Sequence, residues 1–298
     1  MILEELIYKR FSESKELSQQ LAKYAGKPAV FSPVSPENNQ EGWNGKTQYP
    51  RVTYYFDFQT NEERSSVGTL SVSLYCQNTD EVAPEDMEAA VKNCLKDVLL
   101  KPENGIVYAF TWARTDAFEL METKIIGSEI RFDILEYPCQ ETTDPDPIIA
   151  TNQYIKELYP NCVVVGLDRM EEITEASKEN PILYCRLIQI EKSQETNMVA
   201  WMDGRIAIHI LCPDSEVRLK MAADIAKTLS LEGEITLLDH SPMLIHKLQL
   251  NNQSDYLKAG QLFITGHYGL LRYKAQGHSL HHINNTIKEE EQVWEKMQ

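Results

Sequence analysis

The clearest pattern in the chain is an alternation of apolar and polar positions that occurs twice. Residues 70–76 read LSVSLYC and residues 206–212 read IAIHILC. A period of two predicts a strand with one buried face. Each stretch is followed by polar turn residues and then by a helix-like apolar pattern. When Cys76 is aligned with Cys212, Leu70, Val72 and Leu74 coincide with Ile206, Ile208 and Ile210, so every inward position matches, which predicts an internal duplication of one unit.

The elements around these strands are predicted to recur in the same order. In the first half they are a helix at about 2–24, a short strand near 29–31, strands at 51–59 and 70–76, a helix at 83–100, and strands at 106–113 and 124–136. In the second half they are a helix from 148, strands at 163–167, 182–190 and 206–212, a helix after Ser215, and strands at about 235–250 and 259–271. Each half is thus predicted to be an α-β-β-β-α-β-β unit. Its hairpins favour a mainly antiparallel sheet with two helices on one face, an α+β fold.

The composition between the two halves predicts a domain boundary. Residues 138–147 read PCQETTDPDP, with three prolines and three acidic residues, and continue neither a helix nor a central strand. We therefore predict a first unit at 1–137, a linker at 138–147, a second unit at 148–273 and a helical C-terminal tail at 274–298.

The charge of the chain restricts its expected partners. With 45 acidic and 29 basic residues in 298, the formal net charge is −16. Phosphate backbones and anionic lipids are held by clustered Lys and Arg, so we expect neither specific nucleic-acid binding nor membrane docking. An acidic wall would still let DNA pass without sticking.

Neither a targeting segment nor a cysteine-based site is predicted. No apolar run approaches the roughly 20 residues that span a bilayer, and Glu4 and Glu5 interrupt the N-terminus in a way that signal peptides do not. The six cysteines form no CxxC pair, which argues against zinc ribbons and thioredoxin-like redox sites. Cys76, Cys94 and Cys212 are interpreted as small core residues in a reducing compartment.

Four local patterns that could carry chemistry are better explained without it. GWNGKT at 42–47 lacks the first glycine of a phosphate loop, because Gln40 stands there, and a strand follows it instead of a helix. GHSLHH at 277–282 has no further acid or cysteine to complete a metal site. Adjacent triad residue types at 239–241 are no evidence for a triad, which converges from separate elements. His209 is expected to be a surface or half-buried strand residue. We therefore predict no catalytic, cofactor or metal site.

The order of elements in the first unit resembles a known family. An N-terminal helix and a short strand precede a Pro-containing polar loop, then Tyr49-Pro50-Arg51-Val52-Thr53-Tyr54, then the strand 69–76 and a helix. In these features about the first 140 residues resemble the tail terminator and tail completion proteins of bacteriophages and prophages. The resemblance implies an α/β fold and rings, commonly hexameric, that cap the tail tube and join it to the head connector. It carries over no catalytic residue. The second unit departs from the family pattern, which leaves the ring stoichiometry open.

The resemblance leads to a functional prediction. We expect a non-enzymatic virion or tailocin component, assembled in the bacterial cytoplasm, that contacts itself, the tail tube, the sheath or the head–tail connector around a lumen that DNA could traverse. Expected interfaces are strand edges, the loops at 35–48 and 170–180, and an apolar stripe on the tail. The individual residues are Trp43, Lys46, Tyr49, Ile283, Ile287 and Trp294. The alternatives are a head–tail joining or baseplate-proximal adaptor, and a small-molecule enzyme or binding domain on a ferredoxin-like scaffold.

Overall fold

The computed structural model describes residues 1–43, 48–63, 65–78, 82–120, 123–138 and 142–272. In this part of the chain the protein is mixed α+β, about 22% helix and 42% strand, so most of its regular secondary structure lies in curled β-sheets. The predicted fold class, α+β, is confirmed at this level.

The elements follow one another in two comparable series. The first half contains α1 (Leu3–Glu13), α2 (Lys15–Ser18), β1 (Lys23–Tyr24), β2 (Lys27–Pro28), β3 (Val30–Phe31), β4 (Arg51–Asp57), β5 (Gly68–Gln77), α3 (Pro84–Leu95), β6 (Val98–Leu100), β7 (Val107–Leu120) and β8 (Ile125–Tyr137). The second half contains α4 (Pro147–Leu158), β9 (Val163–Val164), β10 (Ile173–Glu175), β11 (Ile182–Glu195), β12 (Val199–Leu211), α5 (Ser215–Glu232), β13 (Glu234–Thr236), β14 (Pro242–Leu250) and β15 (Leu262–Leu271).

These strands form two large sheets and one small hairpin. The first sheet has the order β10-β6-β7-β8-β5-β4-β3, the second has the order β13-β14-β15-β12-β11-β9, and β1 pairs with β2. If β10 is set aside, the two sheets have the same order. In each sheet the short strand at one edge, β3 or β9, is parallel to its neighbour, and all other pairs are antiparallel.

Two predicted helices end earlier in the structure than their apolar patterns suggested. The helix expected at 2–24 stops at Glu13, because Ser14 is extended and its Oγ caps the next short helix by accepting the Leu17 amide. The helix expected at 83–100 stops at Leu95. Asp97 then takes a positive φ of 54°, which ends the helix and starts β6. The helix was predicted to extend to residue 100 because the apolar residues of β6 continue the apolar stripe of the helix in the sequence.

Helix capping explains where the helices of the second half begin. Asp146 lies at the N-cap of α4, and its Oδ1 accepts hydrogen bonds from the amides of Ile148 and Ile149 at 2.7 and 3.0 Å. Asp214 caps α5 in the same way. The last residues of the predicted linker thus belong to the start of α4.

The helices cover one face of each sheet and build two separate cores. In the first half α1, α2 and α3 pack on the face that carries Leu70, Val72 and Leu74. In the second half α4 and α5 pack on the equivalent face, which carries Ile206, Ile208 and Ile210. All six of these strand side chains are fully buried.

A third core joins the two halves through the opposite faces of the sheets. The first half contributes side chains from the β6–β8 end of its sheet, and the second half contributes chiefly β11, β12 and the segments around them. The buried residues are Leu99, Val107, Ala109, Leu135, Tyr137, Val165, Ala176, Ile182, Tyr184, Leu211 and Leu257. The two halves are therefore packed against each other as one body.

Backbone pairing and polar contacts reinforce this junction. The segment 170–180, expected to be an exposed loop, contains β10, which pairs with β6 of the first half. Lys258 Nζ lies 2.8 Å from Asp133 Oδ2, and the Asp133 side chain is only 2% exposed. The Tyr137 hydroxyl donates to the Leu257 carbonyl at 2.8 Å. This part of the predicted interface is thus used within the chain.

Candidate interaction surface

An arginine surrounded by aromatic rings lies where the polar loop meets the edge of the first sheet. The guanidinium of Arg51, at the start of β4, is 4.5 Å from the ring centre of Tyr49, 5.8 Å from that of Tyr75 and 5.9 Å from that of Trp43. Trp43 also makes edge-to-face contacts with Tyr24 and Phe31 at 5.2 and 5.8 Å. These contacts fasten the loop 32–43 to the sheet.

Hydrogen bonds complete this aromatic–arginine cluster. Arg51 Nη1 donates to Asn38 Oδ1 at 3.0 Å, and the Trp43 indole donates to the Glu37 carbonyl at 3.1 Å. Burial lowers the pKa of Arg51, against the opposing effects of Tyr49 and Tyr75. Since Arg51 Nη1 donates to Pro36 and Asn38 of the loop, the cluster primarily stabilises the loop.

The predicted interface residues fall in different environments. Trp43 is half-buried in the cluster, whereas Tyr49 is 4% exposed and its ring lies inside the loop packing. Lys46, Ile283, Ile287 and Trp294 lie outside the described residues, as does the GHSLHH motif. Of the predicted set, the structure therefore brings together only Trp43 and Tyr49.

Two long strand edges face outward in the described part of the chain. Strand β6 pairs with β7 only at Tyr108, so the outer edge of β7 over 111–120 has no strand beside it among the described residues. Strand β9 pairs with β11 only at Ile182 and Leu183. Among the described residues, the outer edge of β11 over 188–195 therefore has no strand beside it either. Register shifts at 113, 188 and 193 and several charged side chains interrupt both edges. Such bulges and charges limit indiscriminate strand addition.

Exposed apolar side chains recur on the same strands of both sheets. Strands β4 and β11 occupy equivalent places in the strand order, as do β7 and β14. The side chains on or next to these strands are Tyr55, Phe58, Trp112 and Leu120 in the first half, and Ile188, Ile190, Leu244 and Leu250 in the second, each at least 37% exposed. Exposed apolar groups at equivalent places are suited to contacts with a partner.

The position of His209 corrects the sequence prediction. His209 is not a surface or half-buried residue but is completely buried, because Tyr137 of the first half and the segment around Tyr256 cover this part of the outer face of β12. Its Nδ1 donates to the Tyr256 carbonyl at 2.8 Å, and its Nε2 accepts from Arg186 Nε at 3.1 Å. These partners fix one neutral tautomer. Burial, followed by the charge of Arg186, lowers the pKa of His209 to about 4.

The remaining sequence motifs have structural explanations where they are described. Ser241 donates to Asp239 Oδ1 from both its amide and its hydroxyl, which makes the segment 239–241 a turn. The described cysteines are all buried and unbridged. Desolvation raises the pKa of the Cys185 thiol far above its ordinary value.

One group of side chains was missed from the sequence altogether. Asp203, His246 and His267 are far apart in the chain but meet on three adjacent strands. The spacing of these residues gives no motif, and only the strand pairing brings them together.

The comparisons with known proteins leave the function to be argued from this geometry. No protein-family model matches the chain, and no curated protein matches it. In the described part of the chain, no helix has both the length and the apolar character needed to cross a bilayer.

Proposed function

We propose that the chain is a tail terminator-like structural protein that forms a ring at the head-proximal end of a phage or tailocin tail. Its role is assembly rather than catalysis. Its partners are further copies of itself and the tube, sheath or head connector. The proposal rests on the resemblance around Tyr49 and Pro50 and on three features of the fold: the similar architecture of the two halves, the contact between them, and the faces that stay exposed.

The first supporting feature is the architecture of a duplicated unit. Both sheets have the same strand order once β10 is set aside, with the same single parallel pair. The central helix, α3 or α5, follows the equivalent strand in each half, and the aligned strand residues are buried beneath the helices. We therefore infer two tandem α-β-β-β-α-β-β units, with α2, β1, β2, β6, β10 and β13 as short additions.

The contact between the two units is the observation that carries the proposal. The first unit uses the outer face of β7 and β8, whereas the second uses the outer face of β11 and β12. In the shared strand order β11 and β12 correspond to β4 and β5, not to β7 and β8. The contact is thus heterologous, joining different surfaces of equivalent units. Heterologous contacts repeat head to tail and produce rings when the rotation closes.

Among the described residues, the face equivalent to each side of this contact is left partly exposed in the other unit. In the first unit it is the outer face of β4 and β5, where Tyr55 is 45% exposed. In the second unit it is the outer face of β14 and β15, where Leu244 is 40% exposed. If the contact repeats between chains, the second unit of one chain packs on the first unit of the next. The excess of 45 acidic over 29 basic residues suits a lumen that DNA traverses.

Assembly of the purified chain tests the proposal. We expect light scattering coupled to gel filtration to show a closed oligomer, and negative-stain microscopy to show rings. Tyr55→Lys and Leu244→Lys should each reduce assembly, since each places a charge in the repeated contact. Leu231→Lys is the matched control, because Leu231 is 78% exposed on α5, on the opposite side of the sheet.

The outcomes distinguish the proposal from its alternatives. A wild-type chain that stays monomeric and is absent from assembled particles would contradict the ring. Equal loss of assembly in all three variants would contradict the assigned surfaces. In a particle reconstruction, a position away from the head-proximal end would instead favour an adaptor.

A further inference from the structure

Three neighbouring strands of the second sheet bring an aspartate and two histidines together on its outer face. Asp203 on β12 lies directly opposite His267 on β15, and its Oδ1 is 2.6 Å from His267 Nδ1. His246 belongs to β14, which pairs with the other side of β15. We refer to Asp203, His246 and His267 as the sheet cluster.

A β-bulge turns His246 toward the other two side chains. In the pairing of β14 with β15, Ile245 faces Gly266 and Lys247 faces Thr265, so His246 is the extra residue. Ile245 and Leu248 pack toward the helices, which leaves His246 and Lys247 on the outer face. Bulges are a common means of redirecting a side chain at a functional site.

Ring stacking holds the imidazole of His267 in place. The His246 ring stacks on it with 4.9 Å between centroids and 13° between planes, and the Trp201 ring does so at 5.0 Å and 6°. Since β12 and β14 flank β15, the two rings hold His267 from opposite sides. A ligand whose orientation is fixed in advance loses less freedom when it binds a metal ion.

We propose that the sheet cluster binds a divalent transition-metal ion, with Zn²⁺ as the first candidate. One ligand atom from each of the three side chains lies within 4.8 Å of the others. In a tetrahedral site with bonds of about 2.0–2.1 Å, ligand atoms are about 3.4 Å apart, so the ligand atoms must move on the order of 1 Å. The His246 ring must also turn out of its stack on His267, so that a ring nitrogen points at the ion. The exposed side chain of His246 has that freedom.

The donor set selects the class of metal. Two imidazoles and one carboxylate suit Zn²⁺, Co²⁺ or Ni²⁺ and leave a coordination position for water or another group. Ca²⁺ and Mg²⁺ prefer sites made wholly of oxygen ligands. The side chain of Glu191 is opposite Asp203 on β11 and adds negative charge, whereas Arg205 and Lys247 lie one row away and oppose it.

The site does not depend on ring formation, because all three ligands come from one chain. Assembly could nevertheless cover it, since His246 is two residues from Leu244. The Tyr55→Lys variant changes the other assembly surface and leaves the sheet cluster intact. Titrating it beside the wild-type chain therefore keeps a failure of metal binding distinct from a failure of the ring.

Calorimetric titration of the EDTA-treated full-length chain with Zn²⁺ tests the proposal. We expect one ion per chain in the wild type and in Tyr55→Lys, and at least tenfold weaker binding in His246→Gln. The matched control is the triple variant His278→Gln, His281→Gln, His282→Gln, which removes the tail histidines and should bind as tightly as wild type. Bound Co²⁺ should show the absorption of a four- or five-coordinate ion in the same variants.

Two results would overturn the assignment. One is absence of Zn²⁺ binding in both the wild type and Tyr55→Lys. The other is binding that the tail variant loses and His246→Gln retains, which would place the ion at the tail. The metal-free unfolding temperature of His246→Gln should equal that of the wild type, so that weaker binding is not an effect of misfolding.

Discussion

Replacing His209 with glutamine should flatten the pH dependence of folding stability between pH 6.5 and pH 4. His209 is buried at the junction of the two halves, between the rings of Tyr137 and Tyr184 at 5.8 and 5.5 Å. Its Nε2 accepts a hydrogen bond from Arg186, so an added proton would face a permanent cation. Glutamine keeps an acceptor for Arg186 but does not titrate.

The size of the effect follows from the lowered pKa of His209. Between the ordinary value of 6.5 and the folded value of about 4, the unfolded chain binds a proton that the folded chain does not. The contribution of neutral His209 to the free energy of unfolding is therefore fully present above pH 6.5 and is progressively lost as the pH falls toward 4. This difference between the unfolded and folded pKa of His209 corresponds to about 3 kcal/mol in the free energy of unfolding.

Urea unfolding of the wild type and of His209→Gln at a series of pH values measures this effect. The variant should be the less stable at pH 7, and the gap should narrow by about 3 kcal/mol by pH 4. Ile208→Val is the control: it loses a buried methyl group next to His209, at a cost of about 1 kcal/mol at every pH. If the free energies of unfolding of His209→Gln and the wild type differ by the same amount at every pH, the reasoning is refuted.

Three further substitutions test the packing of the described fold by the same unfolding measurements. Lys258→Met should cost about 1–3 kcal/mol, because it removes one charged hydrogen-bond donor from the Asp133 carboxylate, whose side chain is only 2% exposed, whereas Lys220→Met in an exposed pair should change little. Gly127→Ala should cost about 1–3 kcal/mol, since the new Cβ would lie 2.5 Å from the Leu74 carbonyl oxygen. Gly204→Ala should cost less, because its new Cβ would come no closer than 3.3 Å to another atom, on the Tyr268 ring. Tyr137→Phe should cost about 1 kcal/mol by removing the hydrogen bond to the Leu257 carbonyl, and an unchanged stability would show that the bond contributes nothing.

The alternating strands were predictable because one face of each sheet is covered by helices. Leu70 and Ile206 occupy that face, and the period of two follows directly from its burial. Helix ends were harder to predict, because the apolar residues after Leu95 continue the helical stripe. A positive φ at Asp97, which no local pattern signals, ends α3.

Residues on the outer faces could not be predicted, because their environment depends on the packing between the halves. His209 lies at a polar position of its strand and was expected to be a surface or half-buried residue, yet Tyr137 of the first half and the segment around Tyr256 bury it completely. The sheet cluster has the same origin: residues 203, 246 and 267 meet only through strand pairing and a bulge. The prediction that no metal site exists rested on sequence spacing, which cannot detect such a group.

The contrast between Ser73 and His209 shows how packing on the outer face changes the environment of matching positions in the two strand orders. Both occupy the outer face at the same position of equivalent strands. Ser73 is half-buried, on a face that no other part of the described chain covers as completely, whereas His209 is fully buried between Tyr137 of the first half and the backbone around Tyr256. The inner faces of β5 and β12 are alike because helices cover both, which requires apolar side chains at the same alternate positions. Their outer faces differ because the described chain packs on the face of β12 more completely than on that of β5, so only the outer residue of β12 needs buried hydrogen-bond partners.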